Sequence, residues 1–275
     1  MKKRFLLAST LICAVGVILI YMHPRVNQES GKPRTYAEII KSGEIRATTE
    51  YNSIGYFVKD DSVAGFHYEL LQAFAHEKGL QTKFIPEMKL EKQLQGINNG
   101  NFDLIAGSLL ITTEQKDSIL QFTIPILRNR QLLIQRKKRD KNDSIYIENL
   151  LNLGKKTVYL PEGSPARYRI QNLAMEIADT IYIKEIKKYG SEQIMALVAH
   201  QDIDYVICEE SIAKNLIDQF PQLDINTAIS FNQFYGWGAN KNSNELIDTL
   251  NSWLNRFMKT KAFNELIKKY NTDNL

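Results

Sequence analysis

Cysteine is scarce in this sequence, which contains only Cys13 and Cys208. Cys13 lies in an apolar run near the N-terminus, so a disulfide with Cys208 is not expected. Two cysteines also exclude a disulfide framework and a cysteine-based metal centre. The four histidines show no spacing typical of metal ligands, and they are His23, His67, His76 and His200. We therefore predict neither a metal site nor a cofactor.

A large excess of charge of one sign is also missing. The formal net charge is +4, from 35 basic and 31 acidic residues. The basic residues are scattered among the acidic ones, which is typical of a solvated surface, so we expect no nucleic-acid partner. The sequence has neither a phosphate-binding loop nor a nucleophile paired with a base. We predict that the chain is not an enzyme.

A long apolar run occurs at the N-terminus, from Phe5 to Met22, directly after three basic residues. Its length of about 18 residues is near the lower limit for crossing a bilayer. No Ala-x-Ala cleavage site follows, so we expect residues 1–22 to be an uncleaved membrane anchor, with the body on the periplasmic face. A cleaved signal and a lipoprotein are the alternatives, although Thr10-Leu11-Ile12-Cys13 lacks the small residue that precedes a lipidated cysteine.

Residues 23–34 are polar and contain two prolines and a glycine, which is typical of a linker. After the linker, strand patterns alternate with helix patterns. An example is the helix predicted from Gly65 to Lys78, which follows a strand at Ile45–Thr49 and precedes one at Thr82–Ile85. A helix at Leu90–Asn98 and a buried strand at Phe102–Ala106 are predicted next. The alternation recurs in kind after residue 131. It predicts two α/β units in tandem, each with a parallel sheet covered by helices.

Five short segments occur in a characteristic order and spacing. They are Glu44-Ile45-Arg46-Ala47-Thr48-Thr49, Val63-Ala64-Gly65-Phe66-His67-Tyr68-Glu69-Leu70, Gly100-Asn101-Phe102-Asp103-Leu104-Ile105-Ala106-Gly107, Asp204-Tyr205-Val206-Ile207, and Lys261-Ala262-Phe263 to Tyr270. Together they resemble family 3 of the bacterial extracellular solute-binding proteins, over residues 35–272. Within that family, the chain is similar to the non-catalytic N-terminal domain of membrane-bound lytic transglycosylase F. A lysozyme-like catalytic domain would follow that domain, whereas this chain ends at Leu275, so we expect no lytic activity.

The resemblance implies an α/β, two-lobed type II periplasmic-binding-protein fold, preceded here by the membrane anchor. Two crossing strands would join the lobes, and a ligand would bind in the cleft between them. The solute-binding domain would cover residues 35–272, with lobe one at 43–128 plus 232–272 and lobe two at 133–228. Hinges are expected near Ile126–Gln131 and Ser230–Gly236, where the lobes would close on a ligand.

The resemblance also points to candidate ligand-binding residues after the first strand. In the family, the loop that contains Tyr51, Tyr56 and Phe57 supplies an aromatic wall against the ligand. Ordinary packing within that loop is the alternative role of these side chains.

A second candidate segment, Gly107 to Lys116, follows the third strand. Family members that bind amino acids carry an arginine here, which clamps the ligand carboxylate. This sequence has Gln115 instead and one extra residue, and Gln115 also completes a capping box with Thr112. Ser108 is the available hydroxyl, and Lys116 or Arg128 could supply the missing charge.

Two further candidates lie in the second unit. Ser164 is at a helix start, where it can cap the helix while backbone N–H groups face the ligand. Glu209 follows a strand at the position where amino-acid binders place an aspartate against the ligand ammonium. A surface acid stabilised by a helix dipole is the alternative role of Glu209.

The predicted function is the capture of a small polar ligand for transport or sensing. The candidates are a peptide, a muropeptide and an amino-acid-like solute, although loss of the arginine clamp argues against a free α-amino acid held in the usual way. The partners would be the ligand, the membrane, and a membrane transporter or a cell-wall enzyme. The alternative is a non-catalytic regulator, or a divergent relative of a lytic transglycosylase, that acts at peptidoglycan.

Overall fold

The protein is described by a computed structural model over residues 31–111 and 120–272. The helices are α1 (Tyr36–Ser42), α2 (Phe66–Glu77), α3 (Leu90–Asn98), α4 (Ala166–Glu176), α5 (Ser191–Ala199), α6 (Glu210–Leu216), α7 (Asn244–Phe257) and α8 (Lys261–Lys269), with short 3₁₀ turns at Leu150–Leu153 and Ile217–Gln219. The strands are β1 (Glu44–Thr49), β2 (Phe57–Lys59), β3 (Ser62–Ala64), β4 (Gln81–Pro86), β5 (Leu104–Leu110), β6 (Leu120–Phe122), β7 (Leu127–Asn129), β8 (Gln131–Arg136), β9 (Thr157–Pro161), β10 (Tyr182–Ile186), β11 (Val206–Glu209), β12 (Leu223–Ala228) and β13 (Gln233–Asn240).

The first lobe is built on a sheet with the order β4-β1-β5-β13-β6, and β7 also pairs with β13. Strand β1 is parallel to β4 and β5, whereas β13 is antiparallel to β5, β6 and β7. Strand β13 therefore returns to the first lobe from late in the chain and completes its sheet.

The second lobe is built on a sheet with the order β10-β9-β11-β8-β12. Strands β10, β9 and β11 are parallel to one another, and β8 is antiparallel to β11 and β12. The chain enters this sheet from β7 through Arg130 alone, and it leaves through residues 229–232. Two α/β sheets joined by two short crossing segments form the two-lobed fold.

Residue 65, at the start of α2, has to be glycine for a steric reason. Gly65 has a φ of +141°, and a Cβ there would lie 2.4 Å from the carbonyl oxygen of Gly55. A side chain would therefore meet backbone that cannot move aside. The Gly65 amide also donates to the Tyr270 hydroxyl at 2.9 Å, which ties the start of α2 to the end of α8.

The antiparallel strands β12 and β13 are the main elements that the sequence patterns do not predict. Strand β12 reads Leu-Asp-Ile-Asn-Thr-Ala and is largely half-buried, so its alternation is weak. Strand β13 is almost fully buried but contains Gly236 and Gly238, which interrupt the apolar run that indicates a central strand. Side chains of Leu109 and Leu120 occupy the space beside Gly238, where a Cβ would lie within 3.1 Å of both.

Within residues 31–111 and 120–272, no helix has the length and apolar character needed to span a membrane. The predicted anchor, Phe5 to Met22, lies outside the described residues.

Candidate functional site

A cavity of about 230 Å³ lies between the two lobes. Its walls come from segments that follow the parallel strands of both sheets: residues 50–55 after β1, 87–90 after β4, 162–165 after β9 and 187–191 after β10. The carboxyl ends of parallel strands are where open α/β sheets bind ligands. The topology thus directs the loops of both lobes into one cleft.

Four glutamates line this cavity, and two of them, Glu50 and Glu209, come from opposite lobes and lie close enough for their charges to interact. Glu50 follows β1 in the first lobe, and Glu209 ends β11 in the second lobe. Asn52 donates to the Glu50 carboxylate at 3.1 Å, and Asn129 donates to the Glu209 carboxylate at 3.1 Å. Both carboxylates therefore have a neutral donor, and neither donor supplies a positive charge.

These surroundings oppose ionisation of both glutamates. Solvent reaches them through the cleft, but protein atoms from both lobes enclose them. This desolvation raises the pKa of Glu50 to about 7, with a contribution from the charge of Glu192 and an opposing one from Asn52. Desolvation and then the charge of Glu50 raise the pKa of Glu209 to about 8, against the Asn129 hydrogen bond. The two lobes thus bring like charges together in the cleft.

The wall of the cavity in the first lobe contains a serine bonded to a buried histidine. His67, on α2, contacts the Ser108 hydroxyl through Nε2 at 3.0 Å. Its Nδ1 accepts a hydrogen bond from the indole N–H of Trp237, on β13, also at 3.0 Å. His67 and Ser108 both line the cavity, whereas Trp237 is fully buried behind them.

Thr49 is a second hydroxyl residue at the same wall. Its side chain is 1% exposed, and within the described ranges its Oγ1 has no hydrogen-bond partner. Gly107, on the adjacent strand β5, leaves space beside it, because a Cβ at that position would lie 3.3 Å from Thr49 Oγ1. A buried polar atom without a partner is costly unless a ligand or water satisfies it.

The second lobe adds a helix start to the cavity. Ser164 lines it, together with Gly163 and Pro165, and the Ser164 hydroxyl accepts from the amide of Ala166 at 3.3 Å. Gly163 has a φ of +74°, a conformation that glycine adopts without strain. The amides of Ala166, Arg167 and Tyr168 at the start of α4 donate to Ser164 and Pro165 within this turn, so the N–H groups expected to face a ligand are already bonded.

Two contacts join the lobes at the mouth of the cleft. The backbone N–H of Ser53 donates to the Glu192 carboxylate at 2.7 Å. Lys89, at the start of α3, pairs with Glu162, which follows β9, at 2.7 Å. The lobes are therefore in contact on the side where a ligand would enter.

Of the residues proposed from the sequence, Gly107, Ser108, Ser164 and Glu209 line the cavity. The three aromatic residues lie elsewhere. Tyr56 packs against Tyr68 and Phe84 with centroid distances of 5.7 and 5.9 Å, and Phe57 packs edge-on to Tyr270 at 6.4 Å. Tyr51 is 44% exposed, and its hydroxyl accepts from the Val58 amide at 3.4 Å.

Two residues were proposed to supply the missing positive charge, and the structure describes one of them, Arg128. It does not line the cavity. Arg128 lies on β7 with an exposed side chain, and its backbone pairs with Phe234 of β13. Thr112, Gln115 and Lys116 lie outside the described residues.

The structure adds Glu50, Thr49 and His67, which the sequence reasoning did not single out. The sequence does contain a signal for Glu50 as a site residue, because it is a charged residue directly after a strand whose carboxyl end faces the cleft. The pairing of His67 with Trp237 had none, since 170 positions separate the two residues.

The adjacent acid and serine at the start of α6, Glu210 and Ser211, have a structural role. Glu210 accepts from the Arg130 guanidinium at 2.8 and 2.9 Å and pairs with Lys214 at 3.2 Å. The Ser211 hydroxyl accepts from Asn129 at 2.8 Å. These contacts fix the start of α6 beside the crossing segment.

Two α/β lobes with a polar cleft between them define the class of periplasmic solute-binding proteins. The model of the bacterial extracellular solute-binding proteins, family 3, matches residues 44–273 of this chain, and the chain belongs to that family. The matched family and the structural neighbours are non-catalytic solute-binding proteins.

Curated relatives carry the name membrane-bound lytic murein transglycosylase F. The chain is 24% identical over 208 residues to the one from Aeromonas salmonicida, covering 74% of this chain and 40% of the relative. It is 24% identical over 259 residues to the one from Desulfosudis oleivorans, covering 94% of this chain and 54% of the relative. This chain thus spans about half the length of these relatives.

Solved structures share the fold. An amino acid ABC transporter substrate-binding protein from Streptococcus pneumoniae, bound to L-arginine, has a TM-score of 0.71 and 20% identity and covers 85% of this chain and 97% of its own. A binding component of an ABC transporter from Wolinella succinogenes, complexed with lysine, has a TM-score of 0.70 and 21% identity and covers 82% and 95%. At these identities the likeness concerns the fold alone.

Proposed function

We propose that this protein captures a small polar solute that carries an ammonium or guanidinium group, and that this group lies between Glu50 and Glu209. The observation that carries the proposal is the pair of carboxylates, one from each lobe, in a single cavity. Their charges repel when the lobes meet. A cation between them would convert that repulsion into attraction and would hold the lobes together.

The solved neighbours bound to arginine and to lysine support this ligand class, because both of those ligands have a basic side chain. A peptide is nevertheless favoured over a free α-amino acid. The family's arginine clamp for the α-carboxylate is replaced by Gln115 in this sequence. Glutamine can donate hydrogen bonds to an amide, but it brings no charge for a carboxylate.

The curated relatives favour a ligand from the cell wall. Their name refers to murein, and peptidoglycan stem peptides that contain diaminopimelate carry free amines. The protein would act in the cell envelope, tethered by residues 5–22, and would deliver its ligand to a transporter or signal its presence. The second candidate is a non-catalytic regulator of a cell-wall enzyme, or a divergent relative of a lytic transglycosylase, which the relatives' names also favour.

Calorimetry against matched probes tests the ligand class. The panel is Nα-acetyl-L-arginine, Nα-acetyl-L-lysine, the tripeptide L-Ala-γ-D-Glu-meso-diaminopimelate, and the isosteres N-acetyl-L-citrulline and N-acetyl-L-norleucine, which carry no cation. We expect the tripeptide to bind most tightly and each cationic probe to bind at least tenfold more tightly than its neutral isostere. Equal binding of Nα-acetyl-L-arginine and N-acetyl-L-citrulline would sink the cation proposal, and release of anhydro-muropeptides from peptidoglycan would sink the non-catalytic one.

The contact between Lys89 and Glu162 should make a small contribution to ligand capture. Both side chains are partly exposed, at 45% and 33%, and solvent screens such pairs so that they contribute little. We expect Glu162→Gln to weaken tripeptide binding by at most about fivefold. Glu148→Gln is the matched control, because its pair with Lys138 lies within the second lobe. A loss above about 20-fold would show that Glu162 contacts the ligand directly.

A further inference from the structure

A relay of three side chains ends at the cavity wall of the first lobe. Trp237 is fully buried, His67 is 2% exposed, and Ser108 faces the cavity. The two contacts, Trp237 Nε1 to His67 Nδ1 and His67 Nε2 to Ser108 Oγ, are each 3.0 Å long. Three residues that lie far apart in the sequence thus form one continuous chain of hydrogen bonds.

The chemistry of the three groups fixes the direction of this relay. An indole N–H can only donate, so Nδ1 of His67 has to accept and carries no proton. The neutral ring therefore has its proton on Nε2, which donates to Ser108 Oγ. In the part of the chain that the structure describes, Ser108 Oγ has no second partner.

Burial keeps the histidine neutral. Desolvation lowers the pKa of His67 to about 3, because no carboxylate compensates a charge on the ring. A second proton on Nδ1 would also point at the indole N–H. The direction of the relay therefore stays the same across the pH range in which the protein functions.

We infer that Trp237 and His67 are positioning residues that hold Ser108 as a hydrogen-bond donor, so the ligand group at this wall is a carboxylate or carbonyl oxygen. His67 occupies one lone pair of Ser108 Oγ, and the hydroxyl proton is left to be donated into the cavity. This inference rests on the proposed function and deepens it, since the ligand then carries an acceptor group as well as its cation.

Thr49 supports the same assignment independently. Its buried hydroxyl has no partner within the described residues, and it lies beside Gly107, the neighbour of Ser108 in β5. Strands β1 and β5 are adjacent and parallel, so both hydroxyls are presented from the same end of the sheet. A second hydroxyl beside Ser108, without a partner in the described part of the chain, fits a wall that offers neutral donors rather than a positive charge.

The direction of the relay also rules out a catalytic role for Ser108 and His67. A serine nucleophile needs an unprotonated histidine nitrogen to accept its proton. Here the nitrogen that faces Ser108 carries the proton, and the other nitrogen is occupied by Trp237. Ser108 is thus a ligand donor rather than an activated nucleophile.

The first test reads the proton on His67 directly in the full chain, labelled with ¹⁵N-histidine. Long-range ¹H–¹⁵N correlation spectra distinguish the two neutral tautomers, and the His67→Gln spectrum assigns the signal. We expect the Nε2–H tautomer, without titration between pH 5 and 8.5. An Nδ1–H tautomer, or a midpoint near 6.5, would overturn the relay. Trp237→Phe should give a mixed tautomer, since the indole donor is lost.

The second test compares probes that differ in the acceptor group. L-arginine and agmatine share a guanidinium, but agmatine lacks the carboxylate. We expect Ser108→Ala to weaken arginine binding about tenfold, the usual effect of one hydrogen bond to a charged group, and to change agmatine binding less than twofold. Equal losses for both probes would overturn the assignment of Ser108. If neither probe binds to the wild-type chain, the cation proposal fails, and the tautomer spectrum still decides whether the relay exists.

Discussion

Replacing either cleft glutamate by glutamine should weaken binding of the diaminopimelate tripeptide by roughly 10- to 150-fold. A hydrogen bond to a charged group contributes about 1.5–3 kcal/mol, and Glu50→Gln or Glu209→Gln keeps the shape of the side chain but removes its charge. The double variant should lose more than either single variant, because each carboxylate would contact the same cation. Calorimetry at pH 8 measures the dissociation constants.

The same variants should stabilise the protein without ligand, which separates a binding defect from misfolding. The pKa of each glutamate is raised above its value in an unfolded chain, so ionisation at pH 8 disfavours the fold. Glutamine removes this penalty, and the melting temperature of Glu209→Gln should rise more at pH 8 than at pH 5.5, because the penalty grows as the pH rises above the unfolded pKa. Glu265→Gln is the control, because it is an exposed residue of α8 that pairs with Lys261, away from the cavity. A lower melting temperature together with unchanged ligand binding would contradict the proposed role of Glu209.

Much of the fold could be predicted from local patterns. The helix predicted from Leu90 to Asn98 has those bounds, and the one predicted from Gly65 to Lys78 spans Phe66–Glu77. In contrast, the strand predicted at residues 102–106 runs from Leu104 to Leu110. Its Gly107 and Ser108 resemble the start of a loop, but pairing with β13 keeps this segment extended. Strand ends depend on partners that a local pattern does not contain.

The candidate site was accessible to sequence reasoning only where a family motif marks it. Glu209 and Ser108 were singled out from their spacing to motif residues, and both line the cavity. Glu50 was passed over, since one acid after a strand is common. The role of Ser108 depends on Trp237, which bonds to the histidine that contacts this serine. Trp237 lies there only because β13 returns to the first lobe. Such long-range pairings come from topology and have no local signature.

Binding of a cationic ligand should strengthen as the pH rises from 6 to about 8.5. In the form with the lobes in contact, the pKa values of Glu50 and Glu209 are raised to about 7 and about 8. Near pH 6 both carboxylates hold protons, which compete with the ligand cation. Each proton that is released on binding changes the affinity up to about tenfold per pH unit below the pKa of its group, so we expect a total change on the order of 1000-fold. Affinity should level off above pH 8.5.

The groups around the pair make this dependence specific to the two glutamates. Glu192 adds negative charge from α5, and the amides of Asn52 and Asn129 do not titrate. Burial and then the charge of Glu209 raise the pKa of Cys208 and Tyr235, so both stay neutral in this range.

Calorimetry of the tripeptide at pH 7, in buffers with different heats of ionisation, counts the protons that binding releases. We expect between one and two for the wild-type chain and none for the variant that carries both Glu50→Gln and Glu209→Gln. N-acetyl-L-citrulline should bind with no pH dependence, because it brings no cation to displace a proton. A wild-type affinity that is flat from pH 6 to 8.5 would mean that the carboxylates are already ionised without ligand. The lobes of the ligand-free protein would then be separated, and closure around the ligand would release no proton.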